Sequence, residues 1–427
     1  MDDFMNFKQF VLSDVASVSL SNVDKKTNSA EAAVKLCNYV DVYNNYAITT
    51  HNYEMFMDAS ANYTEIEKFT LKKGDIAITK DSETRDDIGI PCYVANNFDD
   101  TVLLGYHCAL IRCNSDLIDS KYLVAYLNSN IARKYFAYNA TGSGQRASLS
   151  KSTIENMPIF APSLQDQKMI GCLLSDIDKQ ICLNRQINDN LEAMARQIYE
   201  FICTENKYSA INQKSFEKGT VSDIAEQIIC GKTPSTKNQA FYGEEIPFIT
   251  IPDMYNNTYV VSTERSLSIL GKQSQDNKTL QQNSVCVSCI GTAGLVCLVS
   301  KTSQTNQQIN SIIPKKGISP YFIYFTMKSL ALNILSAGSS GSVMPNLSKS
   351  KFAELEVKIP DISEIEHFHS LVDPMFKKIL SVQEENLILQ NIKKQLNDLL
   401  INGQVSVNYH LIDNTICATH NLNFAFC

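Results

Sequence analysis

Several short stretches contain residue types that could bind phosphate or a metal, but each lacks part of the motif that such a site requires. "GSGQRAS" at Gly142 and "GTAG" at Gly291 are glycine-rich, yet neither is followed by the Lys-Ser or Lys-Thr of a phosphate-binding loop. Cys286 and Cys289 form a CxxC pair without a second pair at zinc spacing. Tight turns and a buried strand with two small thiols are therefore the better interpretations.

The histidines do not indicate catalysis either. His367 and His369 stand two apart in a helical pattern, so they face different sides and cannot share a ligand as an i, i+4 pair would. The chain has six histidines, none beside a nucleophile elbow, and contains neither GxGxxG nor HExxH. No metal site and no catalytic residue are predicted.

Composition is that of an ordinary globular protein, with 44% hydrophobic and 19% charged residues. A chain of 427 residues exceeds the size of a single core, so at least two folding units are expected. The acidic start lacks the features of a signal peptide, and no apolar run reaches membrane-spanning length, so a cytoplasmic location with reduced cysteines is expected. The net charge of −7 argues at first against a nucleic-acid partner, but residues 204 to 360 carry 15 basic against 11 acidic residues.

The chain is written twice. "LSKSTIENMPIFAPS" from Leu149 returns as "LSKSKFAELEVKIPD" from Leu347, at an offset of 347 − 149 = 198 residues. Upstream, "FKQFVLSDVA" answers "FEKGTVSDIA", "VDVYNN" answers "IPDMYNN", and "GDIAITK" answers "NSVCVSC". Each half therefore has the same order, short strand-like runs followed by a long helical pattern.

The two long helices must connect and position the other elements. Each begins after a proline with a capping residue and an acid three positions later, and Gly403 closes the second. We expect Pro374 to break or kink the second helix. Positions spaced by three and four, most of them apolar, predict coiled-coil seams, at Ile177, Gln180, Asn184, Ile187, Leu191, Met194, Ile198 and Phe201 in the first helix and at Ile379, Val382, Glu385, Leu389, Ile392, Leu396 and Leu399 in the second. Gln180 and Asn184 interrupt the apolar side of the first seam, and Glu385 stands where the first helix has Ile187.

The predicted fold class is α+β. Two similar mixed α/β domains with mainly β-sheet cores are separated by two long helices that form an antiparallel coiled coil, and the internal repeat is pseudo-twofold. The predicted limits are 1–162 and 205–360 for the domains, 163–204 and 361–404 for the helices, and 405–427 for a tail of unknown role. Such an arrangement suits a target that is itself twofold and spaced.

With these features the chain resembles the specificity (S) subunits of bacterial type I restriction-modification systems. The resemblance rests on "GKTPSTKNQAFYGEEIPFITIPDM" from Gly231, "SVCVSCIGTAGLV" from Ser284, "TNQQINSIIP" from Thr305, "GSVMPNLSKSKFAELEVKIP" from Gly341 and the duplicated helix. The first half departs from it, because "LLGYHCALIRC" stands where "TNQQINSIIP" would.

The resemblance implies a DNA-binding, non-catalytic subunit with two target recognition domains, each reading one half of a bipartite sequence, and helices that set the gap. It also implies two modification subunits that bring S-adenosylmethionine and methylate adenine, and in some systems two restriction subunits. No cofactor and no membrane partner are expected for this chain itself. A change of helix length should change the spacing that is read.

Contacts to DNA are expected from polar loops beside the strands. In the second half, a cationic, hydroxyl-rich loop suits phosphate and three amides suit adenine edges: Lys232, Thr233, Ser235, Thr236 and Lys237, then Asn306, Gln307 and Gln308. In the first half the candidates are Lys80, Ser82, Arg85, Gln145 and Arg146. Each could equally be a turn or a solvated surface residue. "LSKS" itself is interpreted as structural, a packed leucine and serines that cap a short helical turn.

Two other classes of function stay open at this stage. A protein scaffold could use the coiled coil to join two protein-interaction modules, and it would lack salt-dependent DNA binding. A methyltransferase acting alone is disfavoured, because no cofactor-binding or catalytic motif of that class is present.

Overall fold

The computed structural model describes residues 6–142, 146–204, 216–338 and 346–407. Of the predicted features, Gln145 and residues 408–427 of the predicted tail lie outside these ranges. Two compact units are present: residues 1–180 with 390–427, and residues 181–389. None of the helices in the described ranges combines the length and apolarity needed to cross a bilayer.

The first unit contains twelve strands in its described part: β1 Lys8–Val11, β2 Ala16–Leu20, β3 Ala32–Cys37, β4 Ala47–Ile48, β5 Met57–Ala61, β6 Ile76–Thr79, β7 Asp81–Ser82, β8 Pro91–Val94, β9 Val102–Leu104, β10 Cys108–Cys113, β11 Ala147–Ser148 and β12 Pro158–Ala161. Helices connect and cover them: α1 Leu12–Val15, α2 Tyr39–Tyr43, α3 Tyr63–Phe69, α4 Ser120–Leu127, α5 Asn130–Asn139, α6 Lys151–Glu155 and the start of α7 Leu164–Cys203.

The second unit contains eleven strands in its described part: β13 Phe216–Thr220, β14 Ala225–Cys230, β15 Tyr242–Gly243, β16 Ile246–Ile249, β17 Tyr259–Val260, β18 Ser266–Leu267, β19 Val285–Ser288, β20 Val296–Val299, β21 Gln304–Thr305, β22 Ile309–Pro314 and β23 Glu356–Pro360. Its helices are α8 Val221–Ile224, α9 Ile251–Met254, α10 Ile269–Gln273, α11 Pro320–Ser329, α12 Ala331–Gly338, α13 Lys349–Ala353 and most of α14 Ile362–Ile401. Short 3-10 turns lie at Thr50–Met55, Gln239–Phe241 and Asp276–Lys278.

The main sheets of the two units have the same topology. The strand order is β2-β10-β6-β8-β4 in the first unit and β14-β22-β19-β20-β17 in the second. In both, the first three neighbouring pairs are antiparallel and the last pair is parallel. A separate two-stranded sheet precedes the long helix each time, β1 with β12 and β13 with β23. The internal repeat predicted from the sequence is therefore a repeat of structure.

The phrase "LSKS" has the structural role that the sequence predicts. Leu149 and Leu347 are buried at 2% and 1% exposure. Ser150 caps α6 by accepting a hydrogen bond from the backbone N–H of Thr153, and Ser348 caps α13 in the same way from Lys351. Each short helix leads into the strand that precedes a long helix, so the phrase is a joint.

The long helices pack against each other as antiparallel neighbours within each unit. In the second unit, the amide of Asn184 donates to that of Asn386 at 3.0 Å, and Tyr199 lies 5.9 Å from Phe368, centroid to centroid. In the first unit, Lys393 donates to Asp178 at 2.6 Å, and the core contains residues from the start of α7 and the end of α14. The antiparallel pairing expected from the sequence is present.

The predicted seam of α7 is wrong by one position along much of its length. Ile187, Met194 and Phe201 are 41%, 51% and 67% exposed, whereas the buried positions include Asn188, Ala195, Tyr199 and Ile202. Periodicity alone allows two overlapping stripes one residue apart. The second core decides between them, because Tyr199 packs on Phe322 and Phe325 of α11 at 6.0 and 5.4 Å. In α14, Ile379 and Val382 are buried as predicted, but Asn386 replaces Glu385 on the buried side.

Pro374 does not break α14, which runs without interruption from Ile362 to Ile401. A proline removes one intrahelical hydrogen bond, and this loss is tolerated where tertiary packing holds both flanks. Val372 and Phe376 are fully buried on either side of it. At the other end, Gly403 takes a positive φ of 68°, as predicted for the residue that closes the helix.

Glu192 of α7 is half-buried against the second core and forms an ion pair there. Its carboxylate pairs with Lys328 of α11 and accepts a hydrogen bond from Thr258 at 2.7 Å. Burial would raise the pKa of Glu192, but Lys328 and the hydrogen bond from Thr258 hold it below the ordinary value. We expect Glu192→Gln to lower the free energy of unfolding of the second unit by about 2–3 kcal/mol at pH 7, since Lys328 loses its partner.

Because the folded pKa of Glu192 is depressed, this stabilisation is complete above the unfolded pKa of about 4.3 and is lost as the pH falls through the folded pKa. The difference between wild type and variant in urea denaturation should therefore shrink below about pH 4. Glu200→Gln, at an exposed position on the same helix, is the matched control and should change little. Equal stability of the two variants at pH 7 would contradict the assigned ion pair.

Candidate functional site

Two loops of the second unit that the sequence singles out lie side by side. The loop after β14 is hydrogen-bonded to the facing ends of β21 and β22, since Gly231 N–H donates to the carbonyl of Ile309 at 3.1 Å. Lys232 N–H likewise donates to the carbonyl of Thr305 at 2.9 Å. The hydroxyl of Thr233 donates to the side-chain oxygen of Gln307 at 2.7 Å. The predicted phosphate loop and the predicted amide group therefore form one polar surface.

The three amides on this surface have different roles. Asn306 is 8% exposed and is used internally: its Nδ2 donates to Gln308 Oε1 at 2.9 Å and its Oδ1 accepts from Gln308 N–H at 3.0 Å. Gln308 is half-buried and is braced by these bonds, whereas Gln307 is exposed. Among the three, Gln307 has the accessibility that contact with a base edge requires.

The cationic loop is open to solvent over most of its length. Lys232, Ser235, Thr236 and Lys237 are exposed, and Thr233 is half-buried by its bond to Gln307. Two ammonium groups and several hydroxyls are thus accessible together beside the amide turn, a combination that suits phosphate oxygens.

Residues 306–308 form a turn that the surrounding strands hold firmly. Asn306 N–H donates to the carbonyl of Ile249 at 3.2 Å, and Ile309 N–H closes the turn onto the carbonyl of Asn306 at 3.3 Å. The carbonyl of Gln308 accepts from Cys289 N–H at 2.8 Å. Two neighbouring segments and the bond that closes the turn therefore fix the backbone while the side chain of Gln307 stays accessible.

The first unit holds residues 105–107 by the same three backbone bonds. Gly105 N–H donates to the carbonyl of Cys37 at 2.8 Å, Cys108 N–H to that of Gly105 at 3.1 Å, and Lys80 N–H to that of His107 at 2.9 Å. A Cβ at position 105 would lie 2.8 Å from the side-chain oxygen of Asn38, so glycine fits this close approach. We call the two segments, 105–107 and 306–308, the equivalent turns.

The predicted contact residues of the first unit differ in accessibility. Lys80 and Ser82 are each 9% exposed, and the ammonium of Lys80 lies 3.1 Å from Asp81 and 4.6 Å from the ring centroid of Tyr106. Arg85 and Arg146 are exposed. Arg146 directly precedes β11, which pairs with β7 so that Ala147 stands opposite Ser82. The structure therefore brings the 80–82 segment and Arg146 together, but it neutralises Lys80 internally.

Asp81 is the centre of a small polar cluster beside the first turn. It accepts hydrogen bonds from Lys80, from Ser148 at 2.7 Å, and from His107 Nδ1 at 2.8 Å. Burial alone would raise the pKa of Asp81, but the bonds from His107, Ser148 and Lys80 outweigh it and hold the pKa below its ordinary value. An ionised Asp81 requires a proton on His107 Nδ1, so the orientation of the imidazole is fixed by the cluster.

The remaining sequence fragments are structural. Gly291 and Gly294 of "GTAG" have positive φ values of 77° and 92° in the connection between β19 and β20, as expected for a tight turn. Cys286 and Cys289 are buried, and burial raises the pKa of Cys289 to about 11. His369 stacks on Tyr321 at 5.4 Å and contacts the hydroxyl of Ser319 at 3.0 Å.

Sequence reasoning missed Tyr106 and His107, the members of the first equivalent turn. Tyr106 is 49% exposed, and its ring packs edge-on against His107 at 4.8 Å. A signal was present, because "LLGYHCALIRC" aligns with "TNQQINSIIP" and so places Gly-Tyr-His over Asn-Gln-Gln. The contrast in residue type concealed the equivalence that the backbone bonds reveal.

Comparison with known protein families and curated proteins gives a consistent result. A family model described as the type I restriction modification DNA specificity domain matches the chain twice, over residues 5–193 and 213–400. The specificity subunit of the type I restriction enzyme HindI from Haemophilus influenzae is 30% identical over 408 residues, covering 79% of this chain and 88% of that protein. The MjaIX specificity subunit of Methanocaldococcus jannaschii is 27% identical over 198 residues, covering 45% and 46% of the two chains.

The fold also has a counterpart among solved structures. The crystal structure of the type I restriction-modification S subunit from M. genitalium superposes with a TM-score of 0.59 at 12% sequence identity, covering 94% of this chain and 97% of that one. At this level of identity the likeness concerns the fold.

Proposed function

Because the chain belongs to the family of type I restriction-modification DNA specificity subunits, we propose that each of its two units reads one half of a split DNA sequence. The chain is the non-catalytic recognition subunit of its system, and catalysis lies in partner subunits. The scaffold interpretation is not favoured by these relationships.

The observation that carries this proposal is the duplication of one supporting framework with different accessible side chains. The two main sheets share strand order and pairing, and the equivalent turns share three backbone bonds. At corresponding positions the second unit has Gln307 and Gln308 where the first has Tyr106 and His107. A common framework with different polar groups is what reading two different half-sites requires, because base edges are distinguished by their donors and acceptors.

Phosphate and base contacts are assigned within this proposal by accessibility. Lys232 and Lys237 in the second unit, with Arg85 and Arg146 in the first, would bind phosphate and fix the position on the duplex. Gln307 would contact a base edge directly. Ser235 and Thr236 would add hydroxyl contacts to phosphate. Gln145 is retained as a proposed contact from the sequence alone.

The chain acts together with DNA and with the other subunits of its restriction-modification system. We propose two modification subunits that bind S-adenosylmethionine and methylate adenine, with two restriction subunits in some assemblies. This chain needs no cofactor in the proposal, and it would act in the cytoplasm, where its DNA lies. The net positive charge of residues 204 to 360 is consistent with the DNA partner.

An exposed apolar stripe on α7 supports a protein partner there. Leu183, Ile187 and Met194 are 40%, 41% and 51% exposed, and their spacing of four and seven places them on one side of the helix. Contiguous exposed apolar side chains are a feature of protein-interaction surfaces. We propose that a modification subunit packs on it.

Replacing Met194 by aspartate tests this contact. We expect affinity for the modification subunit to fall by roughly tenfold or more, because an unpaired carboxylate would be buried at the interface. Ala193→Asp is the matched control, since it adds the same charge at an exposed position about 100° around the helix. Titration calorimetry measures both, and equal affinities would reject the stripe as the docking surface.

Selection from random double-stranded DNA tests the function itself. The chain in complex with its modification subunit should enrich two short conserved blocks separated by a gap of fixed length and free sequence. Binding should weaken steeply as salt rises. The scaffold interpretation would be favoured if the recovered DNA had no common sequence or if binding did not respond to salt.

A further inference from the structure

The two equivalent turns have the same backbone support but present different side chains. Position two of each turn is the accessible one, Tyr106 in the first unit and Gln307 in the second. Position three is half-buried and anchored to its surroundings, His107 by Asp81 and Gln308 by Asn306. An accessible side chain on a rigid backbone, followed by an anchored one, is a suitable geometry for selecting between bases.

We infer that Tyr106 and His107 form the base-reading pair of the first half-site, through the edges of one or two adjacent base pairs in the major groove. This inference rests on the proposed function and deepens it. Lys80 and Asp81 are then positioning residues: they act through the turn and do not contact bases.

Tyr106 has the chemistry and the support for this role. Its ring is half exposed and carries a hydroxyl that donates or accepts a hydrogen bond, so it can contact a base edge and pack against a thymine methyl group. The ammonium of Lys80 lies 4.6 Å from the ring centroid and is itself held by Asp81 at 3.1 Å. This cation–π contact restricts the ring without using its hydroxyl.

His107 contributes an imidazole whose orientation is fixed by its hydrogen bond to Asp81. Nδ1 is bonded to Asp81 at 2.8 Å, so the imidazole presents its other nitrogen as the one available for recognition. Asp81 in turn is held by Ser148 at 2.7 Å, on the strand that follows Arg146. A proposed phosphate contact and the base-reading pair are thus mechanically connected, which fixes the register of one relative to the other.

The two turns differ in the hydrogen-bonding groups that they present. The side-chain amide of Gln307 can donate and accept together, which matches adenine, whereas a phenol and an oriented imidazole present single groups. The two half-sites are therefore expected to differ in sequence at the base pairs that these turns contact. A shared framework makes the two positions comparable by exchange of one side chain.

Maps of methylated adenines in a host genome test the inference, with the chain and its modification subunit co-expressed. Tyr106→Ala should reduce discrimination roughly tenfold or more at one or two adjacent positions in one half of the motif and leave the other half unchanged. Gln307→Ala should relax the other half only. Tyr106→Gln should alter the preferred base at the same positions that Tyr106→Ala relaxes.

Leu117→Ala is the control, because Leu117 is 39% exposed and lies beyond the end of β10 opposite to the turn. Its motif should match that of the wild type. Melting temperatures of all variants show whether the fold is intact, and Tyr106→Phe, which removes only the hydroxyl, provides a second measurement if the alanine variant is unstable. Tyr106→Phe should then lose only the part of the base discrimination that depends on the hydroxyl.

Two results would overturn the inference. One is a motif that no Tyr106 variant changes. The other is an equal loss of base discrimination in both halves of the motif in a folded protein, which is the behaviour of a general phosphate contact. Failure of the proposed function is recognised separately, because the wild-type complex would then produce no chain-dependent split motif at all.

Discussion

Replacement of Phe368 by alanine is expected to lower the free energy of unfolding of the second unit by about 3–5 kcal/mol. Phe368 is fully buried where α14 meets α7 and α11. Its ring lies 5.9 Å from that of Tyr199 and 6.4 Å from that of Phe325, both in edge-on geometry. Truncation removes these contacts and leaves a cavity that close-packed neighbours can fill only in part.

Hydrogen exchange locates the effect, since a chain with two units does not define a single unfolding free energy. Backbone amides of α11 should lose protection in Phe368→Ala, while those of α4 should not. Leu371→Ala is the control, because Leu371 is 42% exposed on the same helix and should shift stability by less than about 1 kcal/mol. Similar protection of α11 in both variants would contradict the assigned helix interface.

The second large effect is expected from the double variant Lys232→Ala/Lys237→Ala. Both side chains are exposed on the loop that is bonded to the second equivalent turn. Each lysine that neutralises a phosphate contributes a slope of about −0.9 to the dependence of log affinity on log salt concentration. The variant should therefore lose roughly 10- to 30-fold in DNA affinity near 0.15 M salt and have a slope reduced by about 2.

Fluorescence anisotropy of the assembled complex over a salt series measures both quantities. Lys377→Ala/Lys378→Ala is the matched control: it removes the same charge from exposed positions on α14 and should change affinity by less than about twofold. If the two double variants lose affinity equally, only net charge is involved and the loop is not a phosphate contact.

The repeat was the most predictable part of the fold, because the same phrase recurs 198 residues later and forms the same joint in both copies. In each "LSKS" phrase the leucine packs in the core and the first serine caps the short helix. The same structural roles account for the same residues in both copies. The order of strands was not predictable in the same way. It depends on pairing between segments far apart in sequence, which local patterns do not specify.

The coiled-coil seam shows where periodicity stops being informative. Ile187 and Met194 match the three-four spacing, yet the neighbouring residues Asn188 and Ala195 are the buried ones. Asn184 becomes compatible with burial because Asn386 stands opposite it and accepts its hydrogen bond. Packing of Tyr199 on Phe322 and Phe325 of α11, which no local window contains, determines which stripe faces inward.

The candidate site was only partly predictable for a related reason. The side-chain types of Lys232, Lys237 and Gln307 indicated polar contacts, and the structure brings them to one surface. Lys80 is predicted on the same ground, and the structure places its ammonium 3.1 Å from Asp81 and 4.6 Å from the ring centroid of Tyr106, which is not among the predicted contacts. Residue type suggests what a group can do, and the fold decides whether it is available.

The most direct test of the central claim is the distribution of methylated adenines in a host genome, with and without this chain, when its modification subunit is present. We expect a single split motif that disappears when the chain is deleted, and variants in one unit should alter only one half of it. A folded complex that methylates no chain-dependent motif, or a motif whose two halves always change together, would contradict the central claim.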